Sequence, residues 1–303
     1  MALGNITSVR KGPAEFASNL VIRALIAAAL ALPYRWRIPL AGWIVSRIVS
    51  PLAGYDKRIR ENLAHVMPDL PKAEVDRLVR QVPNNAGRTL IEIYSGTDFT
   101  ARFSDAPLTG PGVATLETAR DEGRPVLLVT AHFGNYDVPR AALIARGFRV
   151  GGLYREMNNL YFNPHYVAAM EQIGTPVFPR GRKGLSGLIR FLRDGGMVGI
   201  LIDQYMRDGV PMDFFGQPAP TALSAAELAL KYNALVVPIY GIRQPNGLDF
   251  EVVCEAPIPE GSAEDITQAL TTSLEKQVRR HMDQWFWIHR RWKPDRKIRK
   301  RTG

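Results

Sequence analysis

An α/β fold with a largely parallel central sheet flanked by helices, preceded by a helical amino-terminal region, is predicted by three observations. From Pro125 onward, short apolar runs alternate with helical stretches, the pattern of strands joined by crossover helices. Residues from about 14 to 100 read as helix instead, with no comparable strand pattern. At 303 residues and 46% hydrophobic content, the chain is also long and apolar enough to bury a substantial core.

The elements follow in order. The first apolar stretch, "NLVIRALIAAALALPYRWRIPLAGWIVSRIV", is broken by Arg23, Pro33, Arg35 and Arg37. A spanning helix needs roughly 20 consecutive apolar residues, and the cleaner piece, Ala24–Leu32, is shorter than that. A signal peptide, a core helix and a helix lying in a membrane interface all remain open. Trp36, Trp43 and the interspersed arginines favour the interface, where amphipathic rings and cations sit at headgroup depth. Residues 1–100 are therefore expected to form a helical, membrane-associating region, peripheral or held by a single amino-terminal anchor. Within it, Pro71 and Lys72 open a new helix after a turn.

Residues 101–294 are expected to form the α/β core, and 295–303 a basic tail. The strand candidates are Val126–Thr130, Val150–Tyr154, Pro176–Phe178, Val198–Ile202, Val236–Tyr240 and Phe250–Cys254. Between them, "DVPRAALIARG" and "GLSGLIRFLRDGG" end at glycines as helices do, and "TALSAAELALKYNA" begins with a threonine that suits a cap. Such strands imply a mostly parallel sheet covered on both faces, its last strand antiparallel. No repeat, low-complexity tract or long Gly/Ser linker divides the chain.

A net charge of +10 points to an anionic partner: nucleic acid, an anionic membrane surface or an acidic substrate. Eight of the twelve residues from Arg290 to Arg301 are Lys or Arg, directly after "QWFWIHRRW". Aromatics beside cations suit base stacking or a membrane interface, and a solvated basic tail is the plain alternative. The single cysteine, Cys254, excludes an internal disulfide and any cysteine-rich metal site, and it reads as a strand residue.

The chemistry-bearing stretch is "PVLLVTAHFGNYDVPR", residues 125–140. His132 falls at a strand exit, beyond the carboxyl end, where ligands of open α/β sheets bind. On one continuous helix, residues five apart lie about 140° apart in azimuth, so a turn must bring His132 and Asp137 together. Gly134 and Asn135 supply that turn and place Asp137 near the start of the next helix. A carboxylate on one imidazole nitrogen fixes the tautomer and leaves the other free to accept a proton from a hydroxyl. The expectation is a general base, His132, with Asp137 as its orienting carboxylate. The bland alternative is a helix-capping aspartate beside a packed histidine. No G-x-S-x-G elbow, P-loop or zinc motif competes.

"TAHFGNYD" resembles the H-x4-[D/E] block of the glycerolipid and lysophospholipid acyltransferases. With "RIRENLAHVMPDLP", "LYREMNNLYFNP", "GILIDQYMRDGVPMDFFGQPAPTALSAAELALKYNALVVPIY" and "QWFWIHRRWK" in order, the chain resembles the lipid A late acyltransferase (lauroyl/myristoyl) family from about residue 15 to 294. Members acting on lipid A usually carry Glu where this chain has Asp137, and the Glu-Gly-Thr-Arg block of the phospholipid enzymes is replaced by "ILIDQ".

The resemblance implies transfer of a fatty acyl chain from a thioester, on acyl carrier protein or coenzyme A, to a hydroxyl of a lipid acceptor at the cytoplasmic face of the inner membrane. The expected acceptor is a lipid A precursor, with a lysophospholipid or lyso-aminolipid as the alternative. No metal or other cofactor is expected. Arg155 and Arg180 follow strands and either clamp a phosphate or pair with a nearby acid. Asp203 and Gln204 either position substrate or cap the loop beginning at Tyr205. "MDFFGQPAPT" reads as a loop whose Phe214 and Phe215 either line an acyl tunnel or plug the core. His65, His165, His281 and His289, the last two read as lying on the basic final helix, have no metal partner at useful spacing. A nucleic-acid-binding module is the non-enzyme reading, and it lacks a recognition signature; no nucleic acid is expected as partner.

Overall fold

Alternate residues of the strand Val126–Thr130 face opposite sides of a sheet, and both sides find a hydrophobic cover. Val126 and Leu128 pack into one buried cluster, Leu127 and Val129 into another. A strand apolar on both faces belongs at the centre of a helix-flanked sheet, and that is where it lies. The structure, a computed structural model, describes residues 11–292. The basic stretch beyond Trp292 lies outside the described residues.

Helices come first: α1 (Pro13–Leu30), α2 (Tyr34–Ile44), a π-helical turn over Val45–Val49, α3 (Ser50–Leu52), α4 (Tyr55–Val66), α5 (Lys72–Ile93) and α6 (Thr97–Phe103). Then follow β1 (Leu108–Thr109), α7 (Gly112–Asp121), β2 (Val126–Thr130), α8 (Val138–Ala145), β3 (Val150–Tyr154), α9 (Asn163–Ile173), β4 (Val177–Pro179), α10 (Arg182–Arg193) and β5 (Met197–Leu201). The chain continues through β6 (Val210–Phe214), β7 (Gln217–Thr221), α11 (Ser224–Tyr232), β8 (Leu235–Arg243), β9 (Phe250–Cys254) and α12 (Ala263–Arg280).

Seven strands form one sheet in the order β1-β9-β8-β2-β5-β3-β4. All neighbours run parallel except β8 and β9, which pair antiparallel as expected. The connection from β2 leads toward β3, whereas that from β5 leads back across β2 to β8. Adjacent strands whose connections depart in opposite directions leave a crevice beyond their carboxyl ends. The register pairs Thr130 with Leu201, so the residues that next leave the two strands, Ala131 onward and Ile202 onward, meet at that crevice.

Helix α5 buries Leu78, Val79, Val82 and Ile91 and carries Pro83 and Gly87. A Cβ on Gly87 would lie 2.6 Å from the Ala41 carbonyl oxygen, so α2 and α5 approach too closely for any side chain there. α1 and α2 differ from the other helices. Twelve of the fourteen exposed large hydrophobics among the described residues fall between Phe16 and Leu52, including Leu25, Trp36, Trp43 and Leu52. α1 runs 18 residues at a mean hydropathy of 1.4, longer than the piece expected from the sequence. By length and composition it is able to cross a membrane.

Three local readings are corrected. "MDFFGQPAPT" is not a loop but part of the antiparallel hairpin β6–β7. Thr221 ends β7 and bonds to the Ala219 carbonyl rather than capping α11, which begins at Ser224. Neither His281 nor His289 lies on the last helix, because α12 stops at Arg280.

Candidate active site

β2 delivers His132 two residues past its end, and β5 delivers Asp203 two residues past its own. Across the crevice the imidazole Nδ1 lies 2.9 Å from Asp203 Oδ1. Asp203 Oδ2 accepts from the His132 backbone N–H and from the Trp285 indole N–H, each at 3.0 Å. With an ionised carboxylate opposite it, Nδ1 carries the proton, and Nε2 is left as an acceptor. The Asp203 side chain is 0% exposed and that of His132 24%. Burial disfavours the Asp203 anion, but the electrostatic attraction and hydrogen bonds of the facing His132 ring and backbone outweigh it and hold the carboxyl well below the usual range.

The expected His132–Asp137 pairing is not what the structure contains. Gly134 adopts φ +51°, and a Cβ there would lie 1.9 Å from the Gly241 carbonyl oxygen. This turn points Asn135 inward, fully buried, where its side chain donates to Glu92 Oε2 and accepts from the Asp137 N–H. Glu92 in turn holds Arg243 bidentately at 2.5 and 2.8 Å. Thr89 donates to the Gly134 carbonyl, and the Gly134 N–H donates to the Gln284 carbonyl. A buried ion pair thus anchors the loop between histidine and aspartate. Asp137, released at the head of α8, meets Arg140 one turn on, with Oδ1 accepting from Nε at 2.9 Å and Nη2 at 2.8 Å. Arg140 also donates to the Met170 and Gly174 carbonyls, tying α8 to the end of α9.

His132, Asp137 and Arg140 share the wall of a cavity of about 310 Å³, within the size of small-molecule sites. Its apolar surface comes from Leu128, Val150, Leu153, Ile200 and Ile239, and its polar surface also includes Thr130, Tyr136, Arg155, Arg180 and Gln204. Of the residues expected to touch substrate, Arg155, Arg180 and Gln204 therefore line the cavity. Asp203 lies behind His132 rather than on the cavity wall. Phe214 and Phe215 do not reach it: they pack with Trp285, Trp287 and Trp292. Of the two readings open for them, the structure places both rings in the core, because the hairpin turns them inward.

Residues 9–294 match the family described as bacterial lipid A biosynthesis acyltransferase. The chain belongs to that family. It is similar to the phosphatidylinositol mannoside acyltransferase of Mycobacterium tuberculosis, at 24% identity over 84% of this chain and 87% of the relative. It is also similar to the lipid A biosynthesis palmitoleoyltransferase of Escherichia coli, at 26% identity over 86% of each. The lipid A biosynthesis lauroyltransferase of the same organism is 24% identical over 78% of each. The protein is thus an acyltransferase acting on a lipid acceptor.

Two residues of this acyltransferase's site were missed in the sequence. Trp285 closes the back of Asp203. His289 stacks edge-on against His132, their ring centroids 4.6 Å apart, and its buried Nε2 has no partner among the described residues. Burial first, and His132 next, push the His289 pKa down to about 4, so this second ring is neutral at physiological pH. Donor atoms of His132, Asp203 and His289 lie within 4.8 Å of one another, so the partners that His289 lacks at useful spacing along the chain stand beside it in space. The Asp203 oxygens, however, already accept three N–H bonds. Both missed residues sit in "QWFWIHRRW", whose aromatic density was the only signal, and its cations drew the reading toward a surface.

Proposed function

We propose that the acyltransferase moves a fatty acyl chain from a thioester, carried by acyl carrier protein, to a hydroxyl of a lipid A precursor. The observation that carries this reading is the His132–Asp203 pair opening onto a cavity with apolar walls at the β2/β5 crevice. His132 Nε2 takes the proton of the acceptor hydroxyl as its oxygen attacks the thioester carbonyl. Asp203 stabilises the imidazolium that forms. The imidazolium then returns its proton to the departing thiolate, so the thioester is consumed without an acyl-enzyme. Asp137 and its partner Arg140 face the cavity beside His132 and position the acceptor, while Arg155 and Arg180 at the mouth meet phosphate. The exposed apolar surface of α1, α2 and the π-helical turn after them, rimmed by Arg23, Arg35 and Arg47, holds the enzyme in an anionic membrane interface at its cytoplasmic face.

A phosphatidylinositol mannoside is the second acceptor to consider, because that relative's match covers 84% of the chain against 86% for the palmitoleoyltransferase. Mass spectrometry of membrane lipids from a strain lacking the protein decides between them. The expected result is lipid A short of one acyl chain, restored by the wild type and not by His132→Ala. Fully acylated lipid A in the deleted strain overturns the proposed acceptor.

A further inference from the structure

Helix α10 presents a face that its own fold does not use. Gly184, Leu188 and Leu192 pack inward, while Arg182, Lys183, Ser186, Arg190 and Arg193 are exposed. At 100° per residue these five positions fall within an arc of about 100°, a single stripe about 16 Å long. Among the described residues, none of the four cations makes a side-chain ion pair or hydrogen bond. The helix contains no acid, and Asp194, which follows it, is taken by Arg149. Two cations in the first turn oppose the helix dipole, and Arg190 and Arg193 repel one another. The stripe therefore works against the helix that bears it.

From the acyltransferase reading given above, we infer that this stripe is the docking surface for an acidic protein that delivers the acyl thioester. Arg180 lies two residues before α10 and lines the reaction cavity, so a partner seated along α10 holds its thioester arm over the entrance. The length suits a helix of a protein partner better than a single phosphate. A membrane is the other anionic surface, but none of the exposed large hydrophobics lies on α10. The membrane-facing signature of apolar residues mixed with cations belongs to α1 and α2.

The test compares the full-length enzyme with Arg190→Glu/Arg193→Glu, and with Arg182→Gln/Lys183→Gln as a second variant. Binding of acyl carrier protein charged with a dodecanoyl chain is measured by calorimetry. Turnover is measured with that donor and with dodecanoyl-coenzyme A, and membrane binding by sedimentation with phosphatidylglycerol-containing vesicles. Both variants are expected to bind the carrier at least tenfold more weakly, with coenzyme A turnover and vesicle binding within twofold of wild type. Unchanged carrier affinity, or no carrier binding by the wild type, overturns the inference. So does an equal loss with coenzyme A, which marks a small-anion site, or a loss of vesicle binding, which marks a lipid surface. Failure of the wild type to turn over either donor would instead count against the reaction, while the calorimetry still decides the surface.

Discussion

An Asp203→Asn variant keeps the shape of its side chain but forces His132 into the other tautomer. Oδ2 accepts from two N–H groups, those of His132 and Trp285, each at 3.0 Å. The asparagine carbonyl must take that place, since an amide NH2 there would face two donors. Its NH2 is then aimed at Nδ1, 2.9 Å from the present Oδ1. Nδ1 becomes the acceptor, the ring proton moves to Nε2, and the nitrogen facing the cavity no longer takes a proton. By analogy with other carboxylate–histidine relays the loss in kcat is about 10³ to 10⁴-fold, or about 4 to 5.5 kcal/mol in the barrier. Steady-state kinetics measure the rate, and nitrogen-15 NMR of labelled imidazole reads the tautomer. Asp137→Asn lowers activity through Arg140 and the acceptor but leaves the tautomer as it is. A normal rate and tautomer in Asp203→Asn, or a tautomer change in Asp137→Asn, refutes the assignment.

Other perturbations test the scaffold. Gly134→Ala meets both a left-handed backbone and the Gly241 carbonyl, and denaturant unfolding should show a loss of about 3 kcal/mol or more. Arg243→Met strands the fully buried Glu92 at a cost of about 3–5 kcal/mol, and adding Glu92→Gln recovers part of that loss. The pH dependence of stability follows from His289, whose pKa falls from 6.5 to about 4 on folding. Between those values the unfolded chain holds the proton and the folded chain does not, so stability declines as the pH is lowered through that window. By pH 5 about 2 kcal/mol is lost. Denaturant melts of His289→Gln should show a shallower decline from pH 7 to 5, and an unchanged slope contradicts the assignment.

The central strand and the place of His132 were legible because an apolar run ending in a histidine is a local signal. Its carboxylate was not. Asp203 is 71 positions away and reaches the imidazole only because β5 inserts between β2 and β3, an order that no local pattern encodes. Asp137 drew the reading by its nearness in sequence, whereas Asn135 and Gly134 turn the loop so that an arginine claims it. The hairpin was hidden by Pro211, Pro218 and Pro220, residues that argue against a strand except in exposed, two-stranded settings such as this one. The long first helix was obscured by Arg23, a cation tolerated because α1 is largely exposed.

Direct transfer is the most exposed claim, and a reconstituted assay addresses it: labelled dodecanoyl-acyl carrier protein, a purified lipid A precursor, and the wild type beside His132→Gln. The expected result is an ester-linked product from the wild type with no protein-bound acyl intermediate, and a rate at least about 10³-fold lower in the variant. Wild-type rates from the variant, or label trapped covalently on the enzyme, would contradict it.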